Sequence, residues 1–166
     1  MNLDFLHRLI AFIILALVQG LVLNHVHLFD VATPMVYVFF VLTFRRNSFR
    51  AGMLIWSFLL GLIVDIFSNT PGVGAASMTL MAFIQPYLLF LIMPRDSAED
   101  MEVSMTTLGM ARFTYFTLIV SFLFCLVFFT LEVFSFNHWL YWLECVGGSW
   151  ILTFVLILVV ERFRCR

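Results

Sequence analysis

Long apolar runs separated by short polar links make up almost the whole of this chain. A bilayer core of about 30 Å takes about 20 helical residues, with a range of roughly 17 to 25, and most of the runs are of about that length. The pattern predicts an all-α membrane helix bundle with about six transmembrane helices in a single integral membrane domain. The predicted spans are approximately 5–23, 31–44, 52–67, 75–93, 113–134 and 139–160.

The second run, 31–44, is the weakest of the six. Its fourteen residues would reach only about 21 Å at 1.5 Å per residue, and Pro34 stands in its first turn. Extending the run back through Leu28 and Phe29 makes up only part of the missing length. Length alone therefore leaves both five and six spans open.

The arginines decide between these two counts. The chain has nine arginines and no lysine. With six alternating spans, all nine arginines fall on the side of the two termini, and the links 24–30, 68–74 and 135–138 on the other side contain none. Because cytoplasmic segments carry the excess of positive charge, this pattern predicts six spans with both termini in the cytoplasm. Dropping the second span would place some arginines on the opposite side.

The stretch from Gly61 to Ser77 places one carboxylate, Asp65, near the end of an apolar run and follows it with a short polar link. At the end of its own helix, this charge opposes the helix macrodipole. The next helix begins a few residues later, so its unpaired amides around 72–75 lie close enough to bind the carboxylate. Pro71 and the neighbouring glycines suit a tight turn. We therefore predict that Asp65 joins the two helices, either purely to hold the hairpin or also to present it to a partner.

The polar link between the fourth and fifth spans contains an amphipathic pattern at 97–112. Ser97 is followed three residues later by an acidic residue, as in a capping box, and Met101, Met105 and Leu108 share one face of the predicted helix. A methionine-rich face suits adaptable contacts. The helix is predicted to be cytoplasmic, and either it lies on its own bundle or the membrane surface, or it binds a partner.

The composition is that of a membrane protein. Of the 166 residues, 63% are hydrophobic and 11% are charged, with a mean hydropathy of +1.07, whereas soluble domains carry about 25% charged residues. The absence of lysine excludes P-loop, Schiff-base and Ser-Lys chemistry. The three cysteines stand alone without C-x-x-C spacing, and they are predicted to be small buried hydrophobic residues rather than a metal or redox pair.

Three further polar residues on the predicted outer side are candidates for function: Glu132, Glu144 and Trp142. Charges within a bilayer are costly and are therefore functional candidates by default. Both glutamates stand near the ends of their spans, so each either reaches the headgroups or serves a function. The histidines of that side lack metal-ligand spacing, and no G-x-S-x-G motif occurs. We therefore predict no enzyme activity, no metal site and no cofactor.

The hairpin resembles a motif of the MreD family, the rod shape-determining membrane proteins of bacteria. The family pattern is G-x-x-x-D-x-x-S-x-x-P followed closely by glycine. The matching positions here are Gly61, Asp65, Ser68, Pro71 and Gly74. Family members often carry Pro-Leu-Gly where this chain has one residue more before the last glycine. The likeness in length, predicted topology and hydropathy extends over the whole chain.

This resemblance implies a non-catalytic component of the cell-elongation machinery in the bacterial inner membrane. MreD-like proteins act with the periplasm-facing scaffold MreC, the actin-like MreB, RodA and the class B penicillin-binding synthases of peptidoglycan. The family is also distantly similar in fold to the substrate-binding S components of energy-coupling-factor transporters, which are six-helix bundles. These partners and this fold are expectations that come from the resemblance.

Two functions from different classes stay open on the sequence. The first is an intramembrane adaptor whose outer hairpin, centred on Asp65 and Pro71, helps to dock a partner scaffold. The second is a small-molecule or lipid-intermediate binding membrane protein of the transporter S-component type, with Asp65, Glu132, Glu144 and Trp142 lining an outward pocket. The polar turn in an otherwise apolar chain without catalytic motifs favours the adaptor.

Overall fold

The computed structural model describes residues 3–23, 33–45, 48–93, 103–133 and 139–164 of the chain. The regular structure in these ranges is entirely helical, which confirms the all-α prediction for them. The helices, labelled in chain order, are α1 (Leu3–Leu17, continued by a π-helical turn, Val18–Val22), α2 (a 3₁₀ turn, Val36–Val38, continued as Phe39–Leu42), α3 (Arg50–Ser68), α4 (Val73–Ile92), α5 (Met105–Leu108), α6 (Met110–Val133) and α7 (Trp139–Arg164).

Four of these helices, α3, α4, α6 and α7, are long and apolar enough to cross a membrane. They correspond to the third to sixth predicted spans, although α6 begins earlier than predicted, at Met110, and α7 continues further, to Arg164. The helical stretch of α1 is apolar but shorter. Large apolar side chains cover the outside of these helices, and Ile66, Phe90 and Leu91 are each more than two thirds exposed. An extended apolar surface of this kind is typical of a protein that contacts lipid or another protein.

Contacts between α1 and α3 show that these two helices run in the same direction. Near the start of both helices, Arg8 Nη2 of α1 donates a 3.4 Å hydrogen bond to Ser48 Oγ, just before α3. Near the end of both helices, Gly20 lies against Phe67, whose ring would be 2.7 Å from a Cβ atom on Gly20. The chain between α1 and α3 must therefore return from one end of the bundle to the other.

The other long helices share this frame. A short turn joins α4 to α3, so the two helices are antiparallel, and Glu161 near the end of α7 lies beside Met105 just before α6. The segment that contains α2 runs in the same direction as α7 and ends beside the beginning of α1, which links the two pairs. As a result, α1, α3 and α6 begin, and α4 and α7 end, at the same end of the bundle. The arginines that the structure describes are all at this end, which we call the arginine end. The opposite end, where α3 passes into α4, is the hairpin end.

The second predicted span, 31–44, is wrong as a full-length membrane helix. Its place is taken by α2, whose two helical pieces contain three and four residues, while residues 31 and 32 lie outside the described part of the chain. Every residue from Pro34 to Leu42 is buried. Pro34 disfavours helix in the residue before it, and a segment enclosed by protein does not need the length that crossing lipid requires. This segment forms the centre of the bundle.

The irregular chain at the start of α2 is held by side chains of the surrounding helices. The backbone amide of Thr33 donates to Ser149 Oγ at 3.0 Å, and that of Met35 donates to Thr153 Oγ1 at 2.9 Å, both on α7. From the π-helical turn of α1, Gln19 Nε2 donates to the carbonyl oxygen of Pro34 at 2.9 Å. Irregular backbone is tolerated within a membrane protein where the protein buries it and satisfies its hydrogen bonds, and α2 meets both conditions.

A second set of contacts holds α2 itself and the residues just after it. The Tyr37 ring meets Phe124 of α6 edge to face, with ring centroids 5.3 Å apart, a geometry that aromatic pairs prefer. At the arginine end, the carbonyl oxygen of Phe44 accepts a 3.4 Å hydrogen bond from Gln85 Nε2 of α4. The Arg8 guanidinium of α1 lies 5.3 Å from the centre of the Phe44 ring. These contacts tie α2 to α1, α4 and α6 as well as to α7.

The amphipathic helix predicted before the fifth span differs from the structure in its extent. Ser97 and Met101 lie outside the described residues. The structure instead has a single helical turn, α5, that begins after Ser104, whose Oγ accepts a 3.3 Å hydrogen bond from the Thr107 amide. Gly109 then adopts a φ of +85°, which ends this turn before α6 begins. Glycine tolerates this backbone conformation, so the predicted helix is interrupted there.

Candidate functional site

The hairpin between α3 and α4 is organised by the carboxylate of Asp65. Asp65 is 4% exposed and lies in the last turn of α3. Its Oδ1 accepts hydrogen bonds from the Gly74 amide at 2.7 Å and from Thr70 Oγ1 at 3.3 Å. Its Oδ2 accepts hydrogen bonds from the amides of Gly72 at 3.1 Å and Ala75 at 2.9 Å. All four donors belong to the turn and to the first residues of α4.

These hydrogen bonds use the acceptor capacity of the side chain. An ionised carboxylate has about four lone-pair sites, two on each oxygen, and each Asp65 oxygen accepts two hydrogen bonds. Three of the donors are backbone amides at the start of α4, where the macrodipole also favours a negative charge. Asp65 is therefore the N-terminal cap of the helix that follows its own, and its lone pairs are already engaged within the hairpin.

Two glycines allow α3 and α4 to approach each other closely at this point. Gly61, one turn before Asp65, faces the backbone at the start of α4 without room for a side chain. A Cβ atom on Gly74 would lie 2.5 Å from Asp65 Oδ1 and would displace the carboxylate. Glycine is therefore required for steric reasons at Gly61 and Gly74, because a larger residue at either position would separate the carboxylate from the amides whose hydrogen bonds it accepts.

The turn itself has a defined backbone conformation. Asn69 ends α3 with φ +56°, and Gly72 precedes α4 with φ +88°, a region that favours glycine and tolerates asparagine. Ser68 Oγ donates to the carbonyl oxygen of Val64 at 2.9 Å, within α3. The side chains of Asn69 and Pro71 and the backbone of Gly72 are exposed. We call the exposed residues Asn69, Pro71 and Gly72 the hairpin tip.

The other predicted outer-side residues are not part of this arrangement. Every hydrogen bond described for the Asp65 carboxylate comes from 70–75. Glu132 near the end of α6 and Glu144 near the start of α7 have exposed side chains. Trp142 is half-buried and packs against the core, and its Nε1 has no hydrogen-bond partner among the described residues. The Asp65 carboxylate is thus enclosed by its own turn, and no described hydrogen bond joins it to Glu132, Glu144 or Trp142.

The predicted contact helix packs against its own bundle where the structure describes it. Leu108 is buried in the core and Met105 packs half-buried against it, whereas Met101 lies outside the described residues. The Met105 amide donates a 3.2 Å hydrogen bond to Oε1 of Glu161, a fully buried carboxylate on α7. Glu161 Oε2 lies 3.6 Å from Arg164 Nη1. These contacts favour the first of the two interpretations, a helix lying on the bundle.

Sequence reasoning missed the buried polar residues that hold the interior together. Their shared signal is a single polar side chain inside an apolar run, which is costly in a membrane unless it has a specific partner. That signal marks the residue as paired but cannot identify the partner, because the partners lie far away in sequence. The residues concerned are Gln19, Gln85, Ser149, Thr153 and Glu161.

Fold and site together define a protein that is helical throughout the regular structure of its described ranges, with four helices that are long and apolar enough to cross a membrane. Two of these four, α3 and α4, are joined by the carboxylate-capped hairpin. Within the described ranges, no group of three or more His, Cys, Asp or Glu side chains is placed to hold a metal ion. The outer-side histidines, His25, His27 and His138, lie outside those ranges. Comparisons of the chain with protein-family models, with curated proteins and with solved structures found no match.

Proposed function

We propose that this protein is a non-catalytic membrane component of the bacterial cell-elongation complex, which maintains rod shape by holding peptidoglycan-synthesis partners together. The observation that carries the proposal is the Asp65 cap. It fixes the exposed hairpin tip in one conformation, through four hydrogen bonds from the turn and the start of α4. A preorganised tip loses less conformational entropy when a partner binds, so it is suited to docking.

The partners follow from the resemblance to the MreD family at the hairpin residues. An MreC-like scaffold on the outer side docks at the hairpin tip, and the complex includes an MreB-like filament, RodA and a class B penicillin-binding synthase. The protein lies in the inner membrane with both termini in the cytoplasm. The gathering of the described arginines at the end of the bundle opposite the hairpin supports this orientation, because cytoplasmic segments carry the excess of positive charge.

The alternative of a binding protein of the transporter S-component type has less support. It requires an outward pocket that shares Asp65 with Glu132, Glu144 and Trp142. The lone pairs of Asp65 are engaged by its own turn, and both glutamate side chains are exposed. Asp65 therefore serves the adaptor by shaping the hairpin, while the contact with the partner is made by the exposed tip.

The test separates the tip from the carboxylate that shapes it. Asn69→Gly combined with Pro71→Ala removes two exposed side chains, and glycine still allows the positive φ at position 69. We expect normal protein abundance and loss of co-purification with the MreC-like scaffold. Asp65→Asn and Asp65→Ala are expected to lower abundance first, and Ala more strongly than Asn, because alanine leaves all four donors without their acceptor.

Glu144→Gln is the matched control for these variants, since it changes another exposed polar residue far from the hairpin in sequence. It should change neither abundance nor co-purification. If the double tip variant accumulates normally and still co-purifies with the scaffold, docking at the hairpin tip is wrong.

A further inference from the structure

An open groove of about 570 Å³ runs between α3 and α4 on the outside of the helices. Leu54, Phe58 and Leu62 line it from α3. These residues recur every four positions and therefore form one stripe along that helix. Sites for small ligands have volumes of about 300–1,000 Å³, so the groove is large enough to hold part of a molecule.

The opposite side of the groove is built from small residues of α4. Gly72, just before α4, and Ala75, Ala76 and Thr79 leave the space open, and the larger Leu80 and Phe83 line the groove toward the arginine end. The polar atom of Thr79 is already used, because its Oγ1 donates a 2.7 Å hydrogen bond to the Ala75 carbonyl oxygen. The groove therefore offers an occupant an apolar surface along its whole length.

A positive charge, that of Arg50, lies just beyond the groove in the direction of the arginine end. Arg50 lies one turn before Leu54 on α3, and Tyr87 lies one turn after Phe83 on α4. Each therefore continues the row of groove-lining residues on its own helix. The Phe83 and Tyr87 ring centroids are 5.9 Å apart. The Arg50 guanidinium carbon lies 5.8 Å from the centre of the Tyr87 ring.

Arg50 has no anionic partner within the described part of the chain, where its one specific contact is the Tyr87 ring. Its side chain is exposed, and Tyr87 is 55% exposed. A guanidinium in this setting matches a phosphate, to which arginine donates paired hydrogen bonds. Clusters of basic residues at the cytoplasmic end of membrane helices bind anionic lipid headgroups in this way.

The spacing of the charge and the groove matches a lipid molecule. From Arg50 to Leu62, α3 rises about 18 Å at 1.5 Å per residue, and half of a bilayer core is about 15 Å thick. An acyl chain that begins near Arg50 would therefore reach about the level of Leu62, and the groove itself continues to Gly72 at the hairpin end. A partner's transmembrane helix would also fit an apolar groove, but its apolar side chains would leave the Arg50 charge without a counterion.

We propose that the groove between α3 and α4 binds one acyl chain of an anionic phospholipid, whose phosphate is held by Arg50. This binding does not depend on the proposed adaptor function, because Arg50 lies at the end of the bundle opposite the hairpin tip, from which Gly72 alone lines the groove. The lipid comes from the leaflet at the arginine end. It covers an otherwise exposed apolar face of the α3–α4 pair.

Native mass spectrometry of the purified full-length protein in detergent tests the charge. The protein is titrated with phosphatidylglycerol and with phosphatidylcholine of the same acyl chains. We expect binding of phosphatidylglycerol to be tighter by about fivefold, which corresponds to about 1 kcal/mol for one arginine near an anionic lipid. Arg50→Gln should abolish this preference, whereas Arg162→Gln, at an exposed position on α7 at the same end, should keep it.

A second variant tests the groove. Ala76→Phe fills the space with an exposed side chain and should reduce binding of both lipids severalfold, whereas Val155→Phe adds similar bulk to an exposed position on α7 and should leave binding unchanged. The proposal is wrong if the unmodified protein binds the two lipids equally, or if Arg50→Gln keeps the preference. It is also wrong if a folded Ala76→Phe variant binds both lipids normally, and the loss of a co-purifying protein from that variant would show that the groove holds a partner helix instead.

Discussion

A Cβ atom added to Gly61 would lie 2.6 Å from the Cα of Ala75, so these two residues bring the backbones of α3 and α4 into direct contact. Asp65 stands one turn further along α3, and the same Ala75 donates its amide to the Asp65 carboxylate at 2.9 Å. The glycine contact and the carboxylate cap therefore depend on each other. Small residues at such contacts allow membrane helices to pack closely.

Gly61→Ala is expected to destabilise the protein by about 1–3 kcal/mol, the usual cost of forcing extra volume into a packed site. The added methyl group would meet backbone atoms of α4, which cannot move aside as a flexible side chain can. The midpoint of thermal unfolding in detergent, followed by tryptophan fluorescence, measures the effect.

Gly52→Ala is the matched control in the same helix. A Cβ atom there would be 3.5 Å from Phe49 Cδ1, an ordinary contact, and alanine is the better helix former by about 0.5–1 kcal/mol. The midpoint should therefore stay the same or rise. An equal loss in both variants would mean that the close approach at Gly61 does not matter.

The hairpin could be predicted from the sequence because its interactions are local. The chain is limited to a tight turn by one carboxylate, a short link and the glycines and proline of that link. The amide donors around 72–75 are those that the hairpin hypothesis requires. The close contact of Gly61 with the backbone of α4 could not be predicted, since a glycine in an apolar run is equally consistent with a bend or with a lipid-facing position.

The centre of the bundle could not be predicted for a different reason. Hydropathy does not distinguish a short apolar segment enclosed by protein from a helix that faces lipid, and the arginine pattern indicates on which side the neighbouring links lie, not whether 31–44 is helical. What decides the structure of α2 is the set of partners that it finds on α1, α4 and α7, more than a hundred positions away in the case of Met35 and Thr153. Similarly, the buried Glu161 side chain accepts a hydrogen bond from the Met105 amide, which lies 56 positions away in the sequence.

Thr153→Val tests whether α2 depends on its distant partners. Valine has nearly the same shape as threonine, but it leaves the buried Met35 amide without an acceptor, at a cost of about 1–3 kcal/mol. The thermal midpoint should fall accordingly. Thr114→Val is the control, because Thr114 is only half-buried and its hydroxyl makes an exposed hydrogen bond to the Met110 carbonyl oxygen of its own helix. If both substitutions lower the midpoint equally, the bond to Met35 does not stabilise the protein.

Glu161 provides a test at the arginine end. Glu161→Gln keeps an oxygen that can accept the Met105 amide and is expected to cost less than about 1 kcal/mol, the usual worth of an ion pair with a partly exposed partner such as Arg164. Glu161→Leu removes the acceptor and should cost about 1–3 kcal/mol. Thermal unfolding of the two variants side by side measures the difference. Equal losses would show that the charge of Glu161, rather than its hydrogen bond, holds α5 in place.

The orientation of the bundle can be tested with single cysteines at its two ends. Asn69 is exposed at the hairpin end, whereas Phe49 and Met110 are exposed just before α3 and at the start of α6, at the arginine end. With Cys165→Ser as background, a membrane-impermeant maleimide should label Asn69→Cys in intact spheroplasts. Phe49→Cys and Met110→Cys should react only after the membrane is opened, because the proposed orientation places the arginine end in the cytoplasm. Labelling of Phe49→Cys and Met110→Cys from outside would show that the arginine end faces outward. Labelling of Asn69→Cys only after opening would place the hairpin tip in the cytoplasm, away from any outer scaffold.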